Sequence, residues 1–257
     1  MFNHTPRITK NIIIINIILF IVSAFATIDL SILLGGFYPE SVNFKPYQIV
    51  THMFMHANFL HIAFNMYALF MFGGIIEQTL GEQRFFILYS LGGLGSFMLF
   101  NFMNYIELNS LKETLALRGV DMTKFQFYSK LDFHSNYENQ INSNFNSWIN
   151  TFSNAVNIED AKKWFLGSVT PMVGASGAIS SLMTAFAVFY PNMRLQLIFP
   201  PIALKAKYFI AILIGIDIYL GFQNNSGDNI AHFAHVGGAI VGIILGKIWK
   251  NNEFRFN

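Results

Sequence analysis

Four side chains could together carry out acyl transfer, and each lies in a stretch otherwise too apolar to hold it: His61, Asn65, Ser176 and His235. A polar side chain at membrane depth is costly, so it serves a function or is matched by a partner. A serine hydroxyl is a weak nucleophile until a neighbouring base takes its proton, and histidine is the usual base. The tetrahedral intermediate that follows needs donors aimed at its oxyanion. His61 and Asn65 are four apart, share a helical face and can both donate. Ser176 opens an apolar segment, where unpaired backbone N–H groups and the positive end of the helix dipole favour negative charge.

The elements that must position these groups are membrane spans. The chain has 257 residues, 53% hydrophobic and only 12% charged. A soluble domain carries about a quarter charged residues. The net charge of +2, with no basic run, excludes a nucleic-acid partner, and the absence of cysteine excludes disulfides and thiolate metal sites. Six segments approach the roughly 20 apolar residues that a crossing requires: 11–33, 53–74, 85–105, 173–190, 208–222 and 229–249. The fold class is therefore an all-α membrane protein, a six-helix bundle forming a single domain over 1–257. The first span begins with Arg7 and Lys10 and contains Ala24-Phe25-Ala26, which resembles a signal-peptidase site. Its apolar stretch runs on to Ile28, so it reads as a retained helix.

Arg7, Lys10, Arg84, Arg194, Lys205, Lys207, Lys247, Lys250 and Arg255 fall on one face, against Lys45 in the short loops of the other. Both termini are predicted to be cytoplasmic. The connection 106–170 is long and polar, with Asn136, Asn139, Asn142, Asn144, Asn146, Asn150, Asn154 and Asn157. It also keeps Phe125, Phe127, Tyr128, Phe133, Trp148 and Trp164, too many aromatics for pure disorder. It reads as a partly ordered extracytoplasmic insertion, helical and resting on the membrane surface. With this orientation the second, fourth and sixth spans run from outside to inside. His61 then lies roughly 12 Å, Ser176 roughly 5 Å and His235 roughly 9 Å below the outer ends. Gly238, Gly242 and Gly246 on the sixth span, and Gly177, Ser181 and Ala185 on the fourth, are stripes of small residues that allow the close approach a Ser–His hydrogen bond needs.

These residues resemble a known family. Gly174-Ala175-Ser176-Gly177 is similar to the GxSG motif of rhomboid intramembrane serine proteases. Ala234-His235-Val236-Gly237-Gly238 resembles their histidine motif, and His56 to Asn65 their HxxxxHxxxN motif. Glu77 resembles a further family position. The resemblance covers nearly all of the chain outside 106–170. It implies a Ser176–His235 dyad without a catalytic acid, and an oxyanion site from His61, Asn65 and the Ser176 N–H. It also implies that the substrate is another transmembrane protein, cut in or near its span, in a lipid bilayer. No cofactor is expected. The minimal six-helix core suggests a bacterial inner membrane. Two positions depart from the pattern. Ser180 stands where many rhomboids carry an aromatic that packs on the histidine. The loop 35–48 has Lys45-Pro46-Tyr47 and lacks the Trp-Arg pair of some members.

Other readings compete. The alternative within the family is a catalytically inactive rhomboid-like protein that binds transmembrane helices; it predicts loss of a reacting group, and both are present. A transporter predicts broken helices or paired repeats, and neither is evident. His232/His235 and His52/His56 have spacings that suggest metal ligation, but no HExxH and few acidic partners accompany them, so no metal is expected. His232 reads as a rim or supporting residue, and Asp217 as a polar residue satisfied by some partner. An α/β-hydrolase is excluded, because its GxSxG elbow would need glycine where Ala178 stands.

Overall fold

A backbone removed from water must satisfy its own N–H and C=O groups, so apolar stretches become helices. The computed structural model describes residues 5–151, 157–196, 203–223 and 231–253. Its helices are α1 (Arg7–Phe25), α2 (Leu30–Leu34), α3 (Gln48–Thr51), α4 (Phe59–Ala68), α5 (Gly74–Leu117), α6 (Phe125–Ser129), α7 (Tyr137–Ile149), α8 (Ile158–Val169), α9 (Ser176–Phe189), α10 (Ala206–Gln223) and α11 (His232–Glu253). A two-stranded antiparallel hairpin joins α9 to α10: β1 (Arg194–Gln196) and β2 (Ala203–Lys205), with Leu195 opposite Leu204. The all-α expectation holds apart from this hairpin.

The protein is an integral membrane protein of the all-helical kind. Among the described residues, four helical runs are long and apolar enough to cross a bilayer: Arg7–Phe25, Phe59–Leu117, Ala206–Gln223 and His232–Asn251. The second run is not one rod. α4 enters α5 through a π turn at Leu69–Gly73, and at Gly81 the backbone leaves the helix (φ 77°, ψ 165°). Only glycine adopts that conformation cheaply, and the chain reverses there. Before the break, His61 lies near Gly174 at the start of α9, and the Thr79 hydroxyl meets Tyr190 at its end, 2.8 Å away. After it, Leu88 accepts a hydrogen bond from Ser181, and Gly177 packs on Ser96. α4 thus runs parallel to α9, and the long part of α5 antiparallel.

Several span boundaries differ from those expected. The first helix stops at Phe25 rather than Leu33, because Asp29 starts α2 by accepting the Ser31 N–H at 3.0 Å. The second begins at Phe59 rather than Met53, capped by the Asn58 side chain on the His61 N–H. The third runs past Tyr105 to Leu117, and Gly119 (φ 81°) follows its end. The fourth is shorter, Ser176–Phe189. The expected start of the sixth, Asn229, lies outside the described residues, as do Asn154 and Arg255.

Membrane-side packing centres on α9, whose Leu182, Ala185 and Phe186 are fully buried. The stripes of small residues meet in register. An added Cβ at Gly238 would strike Gly177, one at Gly242 would strike Ser181 and Thr184, and one at Gly246 would touch Ala185. α11 therefore lies parallel to α9 at backbone contact. Lys250 closes the far end by donating to the Val188 carbonyl at 2.6 Å, where a cation meets the negative end of the helix. α1 is held by Glu77, a buried carboxylate that accepts the N–H groups of Ile8 (2.8 Å) and Thr9 (2.7 Å). Ile14, Ile18 and Ile21 of α1 and Ile212, Ile216 and Tyr219 of α10 stay exposed, as lipid-facing residues would.

The segment 106–170 builds its own apolar core. Trp148, Trp164 and Phe165 cluster with Leu108 and Leu115 of α5 and with Phe37 and Tyr38 of the loop before α3. Asn43 stitches that loop to the insertion, donating to the Ser129 carbonyl at 2.7 Å and accepting the Leu131 N–H at 3.0 Å. Asp29 also accepts the Tyr137 N–H at the start of α7. The described part is thus a docked helical subdomain, more ordered than its asparagine content suggested.

Candidate active site

Ser176 is the first residue of α9, His61 the third of α4 and His235 the fourth of α11. All three stand in the first turn of parallel helices, so their depths agree more closely than the uneven values read from the sequence. Three helix N-termini, each with a positive dipole end and spare N–H groups, converge on one hydroxyl.

Local geometry fixes each group. The Ser176 Oγ and the His235 Nε2 are 2.9 Å apart, a full hydrogen bond. Gly174 has φ 121°, a conformation that suits glycine. A Cβ there would lie 2.8 Å from the His61 Nε2 and 3.7 Å from the Ser176 Oγ, so both atoms look into one small space. The loop is pinned from outside: the Gly174 N–H donates to the His52 carbonyl at 2.9 Å, and Gly36 and Met172 exchange two backbone hydrogen bonds. The loop 35–48 thus supports the serine turn although it lacks the Trp-Arg pair.

His61 receives the Ala57 N–H on its Nδ1 at 3.4 Å. A neutral ring that accepts at Nδ1 carries its proton on Nε2, the atom facing Ser176. Asn65 is buried one turn further along α4, and its amide donates to the His61 carbonyl at 2.9 Å. An amide has two hydrogens, so one is left for another acceptor.

The histidine that reaches Ser176 is His235. His232 is buried and turns its Nδ1 to the Asp217 Oδ1 at 2.8 Å. The same oxygen lies 3.0 Å from the His235 Nδ1. Asp217 is satisfied by partners, as expected, but one of them is the histidine on the serine. The sequence carried a signal for this, a carboxylate in an apolar helix; what it lacked was the rotation of α10 about its axis. Ser180 lies half-buried one turn after Ser176. The hydrogen bond to Asp217 supplies an orienting contact of the kind an aromatic there would give. The ligand atoms of Asp217, His232 and His235 lie within 4.8 Å of one another and are of types that could hold a cation. A cavity of about 230 Å³ reaches His232 between α5, α10 and α11.

Comparison with known proteins accords with this geometry. A family model described as the Rhomboid domain matches residues 43–108 and 137–252. The RHOMBOID-like protein 12, mitochondrial, of Arabidopsis thaliana is 26% identical over 228 residues, covering 87% of this chain and 53% of that protein. The human Presenilin-associated rhomboid-like protein, mitochondrial, is 26% identical over 209 residues, covering 78% of this chain and 38% of that protein. Rhomboid protease AarA of Providencia stuartii is 24% identical over 200 residues, covering 75% and 52%. The chain thus spans about half or less of these relatives' lengths. Both mitochondrial and bacterial proteins are among these relatives, so the expected bacterial inner membrane gains no support from them.

Proposed function

Because the chain belongs to the rhomboid family, we propose that it is an intramembrane serine endopeptidase that cuts other transmembrane proteins in or near their spans. The observation that carries this reading is the 2.9 Å hydrogen bond between the Ser176 Oγ and the His235 Nε2 at the meeting of three helix N-termini. In this mechanism His235 takes the Ser176 proton as the oxygen attacks the scissile carbonyl, then returns it to the leaving amine. The Ser176 N–H, the His61 Nε2–H and the Asn65 amide stabilise the oxyanion. Water attacks the acyl-enzyme in the second half-reaction.

In this reading the chain makes six crossings, with a reversal at Gly81 and the short α9 counted as one of them. α9 has 14 residues, about 21 Å at a rise of 1.5 Å per residue. That is short of the ~30 Å hydrocarbon core, so one end of α9 lies below the rim, where water can reach Ser176 through a polar entrance. Both termini are cytoplasmic in this arrangement, and the insertion 106–170 stands outside.

The inactive, helix-binding alternative predicts a missing reacting group; the presence of both, hydrogen-bonded to each other, argues against it. The test is cleavage of a model single-pass membrane protein by the purified protein in detergent, beside Ser176→Ala and His235→Ala. Cleavage by wild type alone is the expected result. Cleavage by all three refutes the assignment of Ser176.

A further inference from the structure

We propose that Asp217 is a positioning residue that holds His235 in the tautomer able to accept the serine proton, and that His232 fixes Asp217 for this task. The inference rests on the serine-protease reading and adds a group to it: the family resemblance implies no acid partner for the histidine.

The argument begins with the cost of the carboxylate. Asp217 lies in α10, within Ile214-Gly215-Ile216-Asp217-Ile218, and its side chain is only 16% exposed. A carboxylate in such a place needs donors. Among the described residues it finds two, the Nδ1 atoms of His232 (2.8 Å) and His235 (3.0 Å), both on Oδ1. An ionised carboxylate only accepts. Each Nδ1 must therefore carry a hydrogen.

For His235 this decides the chemistry. A neutral imidazole with its proton on Nδ1 presents a lone pair at Nε2, and that atom is the one 2.9 Å from the Ser176 Oγ. The opposite tautomer would point an N–H at the hydroxyl and could take no proton from it. When the proton moves from Ser176 to His235, the ring becomes a cation, and the carboxylate 3.0 Å from its other nitrogen faces it. His61, on the other side of Ser176, is held the other way, with its acceptor on Nδ1 and its donor on Nε2. The two imidazoles flanking the hydroxyl are thus fixed as an acceptor and a donor by what their far nitrogens touch.

His232 explains why the carboxylate stays aligned. It is three residues before His235 on α11, so both side chains project from one face. Its ring lies at 87° to that of His235, with centroids 6.4 Å apart, and it is only 7% exposed. Two donors from α11 converge on one oxygen from α10 and tie the two helices together beside the site.

The experiment uses the full-length protein in detergent and two readouts: the rate at which a fluorophosphonate probe labels Ser176, and kcat and KM for a fluorogenic single-pass substrate. Asp217→Asn can offer an amide N–H to the His235 Nδ1 and so favours the wrong tautomer. It is expected to slow labelling and lower kcat by about 10²- to 10⁴-fold, with KM little changed. Asp217→Glu is expected to recover part of the rate, and His232→Ala to lose less than Asp217→Asn. A variant Asp217→Asn that labels within twofold of wild type overturns the proposal. So does labelling that disappears on treatment with EDTA, which would mean that the three groups act by holding a metal. Should the Asp217 variants fail to fold, the tautomer can be read in the wild-type protein. In ¹⁵N-histidine NMR, with His235 assigned by its loss in His235→Ala, a protonated Nδ1 and a bare Nε2 support the proposal, and the reverse overturns it. Absent labelling of the wild type, or equal labelling of Ser176→Ala, would instead refute the serine reading, and the NMR result would still judge Asp217.

Discussion

The contact between α9 and α11 leaves no room for a methyl group at Gly238, and this yields the most quantitative expectation. In Gly238→Ala the new Cβ would overlap the Gly177 carbonyl oxygen and lie 2.8 Å from its carbon. Ordinary contact begins at 3.4 Å, and the obstacle is backbone, which cannot rotate away. α11 must therefore withdraw from α9 by on the order of 1 Å. The Ser176–His235 distance of 2.9 Å would then open to about 4 Å, beyond a hydrogen bond. A misplacement of ~1 Å at reacting atoms costs about 10²-fold in rate, and the overpacking costs about 1–3 kcal/mol of stability. Gly246→Ala is the internal control, because its Cβ would meet the Ala185 Cα at 3.3 Å and the Val188 Cβ at 3.4 Å, within what the packing can give. There the helix preference of alanine over glycine, about 0.5–1 kcal/mol, offsets the contact. Gly242→Ala, opposed by both Thr184 and Ser181, is expected to behave like Gly238→Ala. The assay is cleavage rate and thermal midpoint for all three in the same detergent. Equal activity of Gly238→Ala and Gly246→Ala would refute the claim that backbone contact between these helices sets the serine–histidine distance.

Three further expectations follow from single contacts. Asn65→Ala removes one oxyanion donor and should lower kcat by about 10- to 10³-fold; full-rate cleavage would remove Asn65 from the mechanism. Glu77→Ala leaves the N–H groups of Ile8 and Thr9 without their acceptor; it should cost about 1–3 kcal/mol, read as a lower thermal midpoint, while the folded fraction keeps its specific activity. Trp148→Ala empties the centre of the insertion's core, where the side chain is fully buried; a loss of about 3–5 kcal/mol should expose 118–170 to protease while the apolar helices resist, and an unchanged digestion pattern would contradict an independent core.

What the sequence alone determined is what depends on residue type and short spacing. Membrane residence follows from composition, because a chain this apolar has nowhere else to bury itself. His61 and Asn65 lie on one face because four residues make about one turn. The glycine stripes announced close helix contact, and the structure sets Gly238 on Gly177 and Gly246 on Ala185. Span ends were less legible, because caps such as Asn58 and the break at Gly81 act against continuous hydropathy. Folding decided what depends on the rotation and docking of elements distant in the chain. The insertion's core could not be read from its asparagines, since Trp148 and Trp164 find Leu108, Leu115 and Phe37 only when α5, α7, α8 and the loop before α3 meet. Asp217 was visible as a costly carboxylate, but its partners were not. Only the turn of α10 about its axis brings its oxygen to His232 and His235, and no spacing within α10 records an angle set by packing on α11.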